Sequence, residues 1–351
     1  MPELAEVEYF RKQWNSGFNA PVLKVLVHAN ARIFRDVAAN ELVRHLPGAR
    51  LVHSMAHGKQ MFFHFRPKMI LGVHLGMTGR LSVRKAQAPQ EKHDHLILEQ
   101  RDRSLVLTDC RMFGRLQFAM GTYHPEWQRG LPPAMLSANF DWRYLQSAFQ
   151  RHPKTSIKVI LLKQEIFPGI GNWMADEILW QAGMEPERVG VRITEMETKR
   201  LYRTIRRICR IALKTIGQNL DYLPPNWLFF SRWHNGNPCP RCKTILSRSS
   251  LHGRTTCWCE NCQSVESQNP LLAHKPSKTP RRSQWAKTFA EAAKIFQVDQ
   301  ETILKWIKAE GNPGLSTKGW MYLAKWQPWV RFTGRSWFRR THEIGRQNML
   351  I

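Results

Sequence analysis

Cys239-Pro240-Arg241-Cys242, followed after sixteen residues by Cys259-Glu260-Asn261-Cys262, is the stretch on which the reading of this chain turns. Each C-x-x-C turn directs two thiolates at one ion, and tetrahedral zinc takes four such sulfurs at about 2.3 Å. The intervening length lets the second pair close the site from the far side of a hairpin, the pattern of a zinc ribbon. Four sulfur ligands leave no open coordination position, so the expected cofactor is one structural Zn2+. Cys257 stands two residues before Cys259 and would compete as a ligand, but it breaks the C-x-x-C geometry. The hairpin tip reads His252-Gly253-Arg254-Thr255-Thr256. An arginine beside glycine on a rigid ribbon suits a bidentate phosphate contact.

The rest of the composition points the same way. The 351 residues carry 53 Lys and Arg against 27 Asp and Glu, a formal charge of +26. A protein this basic meets a polyanion, and nucleic acid is the first candidate. Fourteen Trp and seventeen Phe supply flat side chains for stacking on bases or wedging into a duplex. The acidic start, Met1-Pro2-Glu3-Leu4-Ala5-Glu6, has no apolar core, so no signal peptide is expected. No apolar run approaches the ~20 residues of a membrane span. Seven cysteines, an odd number with five between Cys239 and Cys262, suit an intracellular metal site better than a disulfide framework. A cytoplasmic protein without membrane contact is expected.

Upstream of the ribbon the pattern changes twice. A short helical stretch at 7–14 precedes β-rich runs at 22–27, 60–65, 70–75, 95–98, 105–108 and 115–118, bounded by Gly, Pro and charges. That spacing suits an antiparallel sandwich or barrel. Residues 121–133 hold three Pro and two Gly and read as a linker. From Asp141, a helix N-cap candidate, to Gly217 the periodicity is helical, with Gly169-Ile170-Gly171-Asn172 separating two apolar segments. Residues 194–216 repeat apolar side chains at helical spacing, with Arg and Lys on the other face, ordinarily a solvated one.

In chain order, Met1-Pro2-Glu3-Leu4-Ala5-Glu6-Val7-Glu8, Gly58-Lys59, His74-Leu75-Gly76-Met77-Thr78-Gly79, Lys92-His93-Asp94-His95, Asp109-Cys110-Arg111-Met112-Phe113-Gly114, Gly169-Ile170-Gly171-Asn172 and the cysteine ribbon form one constellation. It closely resembles the family of bacterial formamidopyrimidine-DNA glycosylase and endonuclease VIII, over residues 1–265. The resemblance implies an α+β multidomain fold. Its parts are an N-terminal catalytic β-sandwich (1–125), a helix-two-turn-helix DNA-binding domain (126–233) and a β-hairpin zinc ribbon (234–268) ligated by Cys239, Cys242, Cys259 and Cys262. A linker (269–282) and a small basic α-helical extension (283–351) would follow.

The same resemblance implies a chemistry. The secondary amine of Pro2, freed by removal of Met1, attacks C1′ of a damaged nucleotide, expels the base and forms a Schiff base. An amino terminus, with an ordinary pKa of roughly 7.7–8.0, needs little adjustment to be a free amine near neutral pH. By position, Glu3 is the general acid/base, Glu6 supports the amine–carboxylate arrangement, Lys59 lies near C1′ and Arg254 grips the flanking phosphates. Asn172 contacts the backbone at a helix start. His93 and Lys154 are further phosphate contacts. Met77, Arg111 and Phe113 fill the gap left when the base leaves the stack. The implied partner is damaged double-stranded DNA, met as a monomer, with strand cleavage by β,δ-elimination.

The chain departs from the family pattern in places. Ala5 and Cys110 stand where proline is common, and Met112 where a second arginine is common. Between Gly217 and Cys239 the family's longer base-covering loop and Tyr-Gly-Arg step are replaced by Asp221-Tyr222-Leu223-Pro224-Pro225-Asn226-Trp227-Leu228-Phe229-Phe230-Ser231-Arg232-Trp233. Oxidised purines (8-oxoguanine, formamidopyrimidines) are the default lesion, favoured by Leu4. Oxidised pyrimidines are the alternative, and a catalytically silent DNA-binding protein is the reading from another class. In the extension, residues 289–298 and 299–308 form a weak helix-turn-helix pattern, with Asp299 as cap. Residues 320–340 mix Trp with Lys and Arg, as sequence-independent backbone binding would require.

Overall fold

Alternating apolar residues build the N-terminal part of the computed structural model, which describes residues 1–220, 222–264, 285–286 and 321–322. The expected linker at 269–282 and helix pair at 289–308 lie outside the described residues, as does 320–340 apart from Met321–Tyr322, which pairs antiparallel with Trp285–Ala286. The described chain separates into two compact units, Met1–Asp221 with Ser249–Thr256, and Tyr222–Arg248 with the residues from Cys257 onward.

The first unit opens with helix α1 (Leu4–Gln13), strand β1 (Lys24–Val27) and helix α2 (Ala39–His45). Strands β2 (Arg50–His57), β3 (Gln60–Arg66), β4 (Met69–His74), β5 (Arg80–Lys85), β6 (Asp94–Glu99), β7 (Arg103–Thr108) and β8 (Arg115–Met120) follow. They form two antiparallel sheets in the orders β1-β6-β7-β5 and β2-β3-β4-β8. Met61, Phe63 and Phe65 of β3 share one core with Leu71 and Val73 of β4, Leu96 and Leu98 of β6, and Leu105 and Leu107 of β7. Two sheets closed over one apolar layer make a β-sandwich. Trp14 plugs the layer against Phe63, ring centroids 4.7 Å apart.

Three elements differ from the sequence expectation. Strand β2 slips its register between Leu51 and His53, which breaks the alternation that marks a strand. β5 is an edge strand with only Leu81 buried. Residues 121–133 are not a free linker. They carry the short helix α3 (Glu126–Arg129), whose Trp127 stacks on Phe62 at 5.7 Å and covers Gly72, while Tyr123 donates to the Phe65 carbonyl. This covering explains why β3 is buried on both faces.

The helical part contains α4 (Trp142–Arg151), α5 (Ile157–Leu161), α6 (Asn172–Ala182), α7 (Glu195–Lys214) and α8 (Ile216–Asn219). Asp141 caps α4 by accepting from Tyr144 N at 2.8 Å. Thr194 and Glu197 close a capping box on α7. Leu201, Ile205, Ile208 and Ala212 of α7 are buried, and the helix packs on α6, α4 and α1. Strands β9 (Ser247–Leu251) and β10 (Arg254–Trp258) pair, and helix α9 (Glu260–Gln263) ends the described segment. Among the described residues no helix is long and apolar enough to cross a membrane.

Candidate active site

Glu3 joins the beginnings of two helices. It is the N-cap of α1, where its own backbone N–H donates to Glu6 Oε2 at 3.2 Å. Its carboxylate, nearly fully buried, accepts from the backbone N–H groups of Gly171, Trp173 and Met174 at 2.9, 3.0 and 3.1 Å, at the start of α6. A helix N-terminus presents unpaired N–H groups and the positive end of its dipole, so an anion belongs there. Gly171 is required by the approach, since a Cβ there would lie 2.2 Å from Glu3 Cδ. Leu4 N donates to the Gly169 carbonyl at 3.0 Å and fixes the chain start on the same turn.

Glu6 lies beneath, accepting from Trp173 Nε1 at 3.0 Å. Burial, and then the neighbouring Glu3, push its carboxyl up to about 7. Near neutral pH this pair of carboxyl groups therefore retains a proton on Glu6 for much of the time.

The described chain retains Met1, and burial pushes its terminal amine below the ordinary value, assisted by Lys59 and Arg254 and opposed by Glu3 and Glu6. Lys59 is displaced downward for the same leading reason, with Arg254 acting in the same direction. It follows Gly58 in the β2–β3 turn, at a positive φ of 61° that suits glycine. A Cβ at Gly58 would meet Pro168 and Gly169 at under 3 Å, so the bare backbone lets this turn sit on the loop before α6. Amine, Glu3, Glu6, Lys59 and Arg254 thus share one electrostatic neighbourhood within the first unit.

Arg254 is exposed, but the residue after it is anchored. The Thr255 carbonyl accepts from Asn172 Nδ2 at 2.8 Å and from Lys158 Nζ at 2.9 Å. Lys158 is sealed from solvent and paired with Asp176. Asn172 stands at the start of α6, as the sequence implies, and its amide N–H also ties the arginine-bearing strand to that helix.

Met77, Arg111 and Phe113 stand on two loops fastened by Asp109. The buried Asp109 carboxylate accepts from Thr78 Oγ1, Arg111 N and Gly114 N at 2.5, 3.2 and 2.7 Å. Gly76, at φ 60°, abuts the Phe113 backbone so closely that a Cβ would lie 2.3 Å from it. Met77, Met112 and Phe113 are left exposed, with the Arg111 guanidinium 4.6 Å above the Phe113 ring. Apolar side chains held exposed on a braced loop are available to meet a partner surface.

His93 lies beside this loop, its carbonyl accepting from Asp109 N at 3.0 Å. Lys154 is exposed before α5 and makes no side-chain hydrogen bond or ion pair among the described residues. Lys158, Trp173 and Asp176 have no local sequence signal, while Asp109 and His74 stand out only as the first residues of their motifs. His74 lines a small cleft with Lys59 and His57. Its Nδ1 accepts from Gly76 N at 3.1 Å, and burial followed by Lys59, Arg115 and Arg35 holds its pKa down at about 4. It is therefore a neutral ring near pH 7, with Nε2–H left as its donor. Only its place in the His74–Gly79 motif marked it.

The second unit holds the cysteines. The Sγ atoms of Cys239, Cys242, Cys259 and Cys262 all lie within 4.8 Å of one another, with Cys239–Cys262 at 3.9 Å and Cys242–Cys259 at 3.4 Å. Sulfurs on tetrahedral zinc are about 3.8 Å apart, so the four fit one ion. Cys257 is buried and is not one of the group. The structural zinc would be held by the four cysteines and would fix the base of the β9–β10 hairpin.

Three family models match in order, the formamidopyrimidine-DNA glycosylase N-terminal domain at residues 1–116, its H2TH domain at 131–222 and the zinc finger found in FPG and IleRS at 236–265. The chain belongs to the formamidopyrimidine-DNA glycosylase family. The formamidopyrimidine-DNA glycosylase of Carboxydothermus hydrogenoformans is 32% identical over 272 residues, covering 75% of this chain and 100% of the relative. The crystal structure of Lactococcus lactis Fpg with DNA containing an oxidised pyrimidine is 26% identical with a TM-score of 0.68, covering 75% of this chain and 100% of the other. The complex of the same protein with DNA containing Fapy-dG is 25% identical, with the same TM-score and coverages. These formamidopyrimidine-DNA glycosylase matches end near residue 265, where the basic C-terminal segment begins.

Proposed function

We propose that the protein is a base-excision-repair DNA glycosylase with abasic-site lyase activity, using the Pro2 amine as nucleophile once Met1 is removed. The observation that carries this reading is the Glu3 carboxylate, held at the chain start by three N–H groups of α6 next to Lys59. The amine attacks C1′, the glycosidic bond breaks with its electron pair going to the base, and the base takes up the proton released from the amine. The sugar ring opens as O4′ takes a proton from the Glu3–Glu6 pair, and the amine lone pair completes an iminium on C1′. Loss of a C2′ proton then expels the 3′ phosphate, a further elimination expels the 5′ phosphate, and water releases the amine.

The other residues divide the remaining work. Arg254 and Lys59 grip phosphate, with His93, Lys154 and the Nε2–H of His74 as further contacts. Met77, Arg111 and Phe113 replace the flipped nucleotide, offsetting a cost of a few kcal/mol. The modules are a catalytic sandwich (1–125), a helical DNA-binding part (126–233), a zinc ribbon (234–268), a linker (269–282) and a basic extension (283–351). The protein acts as a cytoplasmic monomer. Oxidised purines are the proposed lesions. Oxidised pyrimidines are a second reading, favoured by the likeness to a complex that holds one.

Borohydride trapping tests the mechanism. Protein freed of Met1 is expected to form a covalent adduct with duplexes carrying 8-oxoguanine or an abasic site, and Pro2→Gly or retention of Met1 is expected to abolish it. Tight duplex binding without adduct on any lesion would leave a silent DNA-binding protein as the better reading.

A further inference from the structure

The exposed face of α7 is a row of unpaired cations. Arg203, Arg207, Arg210 and Lys214 are spaced by four, three and four residues, so they fall on one side of the helix, and all four are exposed. None of the four is in an ion pair among the described residues; Arg207 alone has a side-chain partner, the neutral Gln181 amide oxygen at 2.8 Å. The first turns of the same helix are built differently. There Glu195 pairs with Lys199, and Glu197 with Arg188 and Arg200. Arg206 is also committed, donating to the Leu136 and Ser137 carbonyls. The row is therefore a departure from the charge pairing found elsewhere on α7.

Such a row has a cost. Like charges three and four residues apart repel by roughly 0.2–0.5 kcal/mol per pair, which interspersed glutamates would remove. Three of the four are arginines, whose planar fork matches phosphate oxygens. At 1.5 Å of rise per residue the four cations span roughly 16 Å along the axis, long enough for their flexible side chains to meet several phosphates of one strand. The row lies on the side of α7 opposite its buried residues, such as Leu201, Ile205, Ile208 and Ala212, and only Arg207 reaches a neighbouring helix, at Gln181 near the end of α6. The starts of α1 and α6 hold the catalytic carboxylates, so a duplex on this ridge is not the one presented to Glu3.

We infer that the Arg203–Arg207–Arg210–Lys214 ridge is a second, sequence-independent binding face for the phosphate backbone of duplex DNA. It holds a further segment while the lesion site is occupied or searching.

The test uses the full chain and a short undamaged duplex, with stoichiometry from sedimentation and affinity measured from about 50 to 200 mM salt. The wild type is expected to bind one more duplex than R203Q/R207Q/R210Q/K214Q, and its plot of log affinity against log salt is expected to be steeper by up to about 3.6. R203K/R207K/R210K is expected to keep the extra duplex. The milder R203Q/R210Q is expected to lose about half of the slope difference, and serves if the fourfold variant melts early. Equal stoichiometry and slope in wild type and variants would overturn the inference. So would an equal loss in K24Q/R44Q/R66Q/K68Q, which removes the same charge from exposed sandwich positions. Capture of single-stranded RNA in preference to duplex would also count against it.

Discussion

Lys158 and Asp176 form an ion pair sealed from solvent, 2.5 Å long, and the same Lys158 Nζ donates to the Thr255 carbonyl. The strand carrying Arg254 is thereby pinned to α5 and α6 by a buried charge. Removing one member strands the other, at a cost of about 3–5 kcal/mol. Lys158→Met and Asp176→Leu are each expected to lower the unfolding free energy by that amount. The double replacement is expected to recover most of the stability while incision stays reduced about tenfold, because the Thr255 carbonyl then keeps only its Asn172 donor. Chemical denaturation together with single-turnover incision checks both halves.

Glu6 gives the fold a pH dependence of determined sign. Its carboxyl is raised from 4.5 to about 7 in the folded chain, so between those values the native state holds a proton that the unfolded chain has released. Stability from this group is complete below about pH 4.5 and falls as pH rises to about 7, by up to about 3 kcal/mol. Glu6→Gln is expected to flatten that portion of the profile. Melting temperatures at pH 5 and 7.5 for both proteins provide the measurement, and parallel profiles would contradict the assignment.

Zinc content separates the cysteines. One zinc per chain is expected by elemental analysis, retained in Cys257→Ser and lost in Cys242→Ser. Chelation is expected to abolish incision by releasing the base of the hairpin.

The exposed wedge makes a kinetic prediction. Phe113→Ala with Met77→Ala is expected to slow excision of a stacked damaged base tenfold or more, about 1.4 kcal/mol of lost compensation. Incision at a preformed abasic site, where no base has to be extracted, is expected to change far less. Comparison of the two substrates under single-turnover conditions decides it.

The sandwich and the metal site were legible because their signals are local. Met61, Phe63 and Phe65 alternate, and the two C-x-x-C pairs are separated by hairpin length. β2 was not, because the slip between Leu51 and His53 hides its period, and Trp127 was not, because a proline-rich segment gives no sign that it will cover a sheet. The clamp on Glu3 joins residues about 170 positions apart, so no spacing rule reaches it. The catalytic role proposed for it rests on resemblance, and the donors that hold it are visible only with α6 in place. The Lys158–Asp176 pair is likewise invisible until α5 and α6 pack.

Because Glu3 is gripped by amides from Gly171, Trp173 and Met174, a growing chain carries its terminal amine long before it carries the setting around it. An N-terminal fragment would display the same first residues without the amides that hold Glu3. On the proposed mechanism, the setting of the amine is thus completed only by synthesis and docking of the helical part.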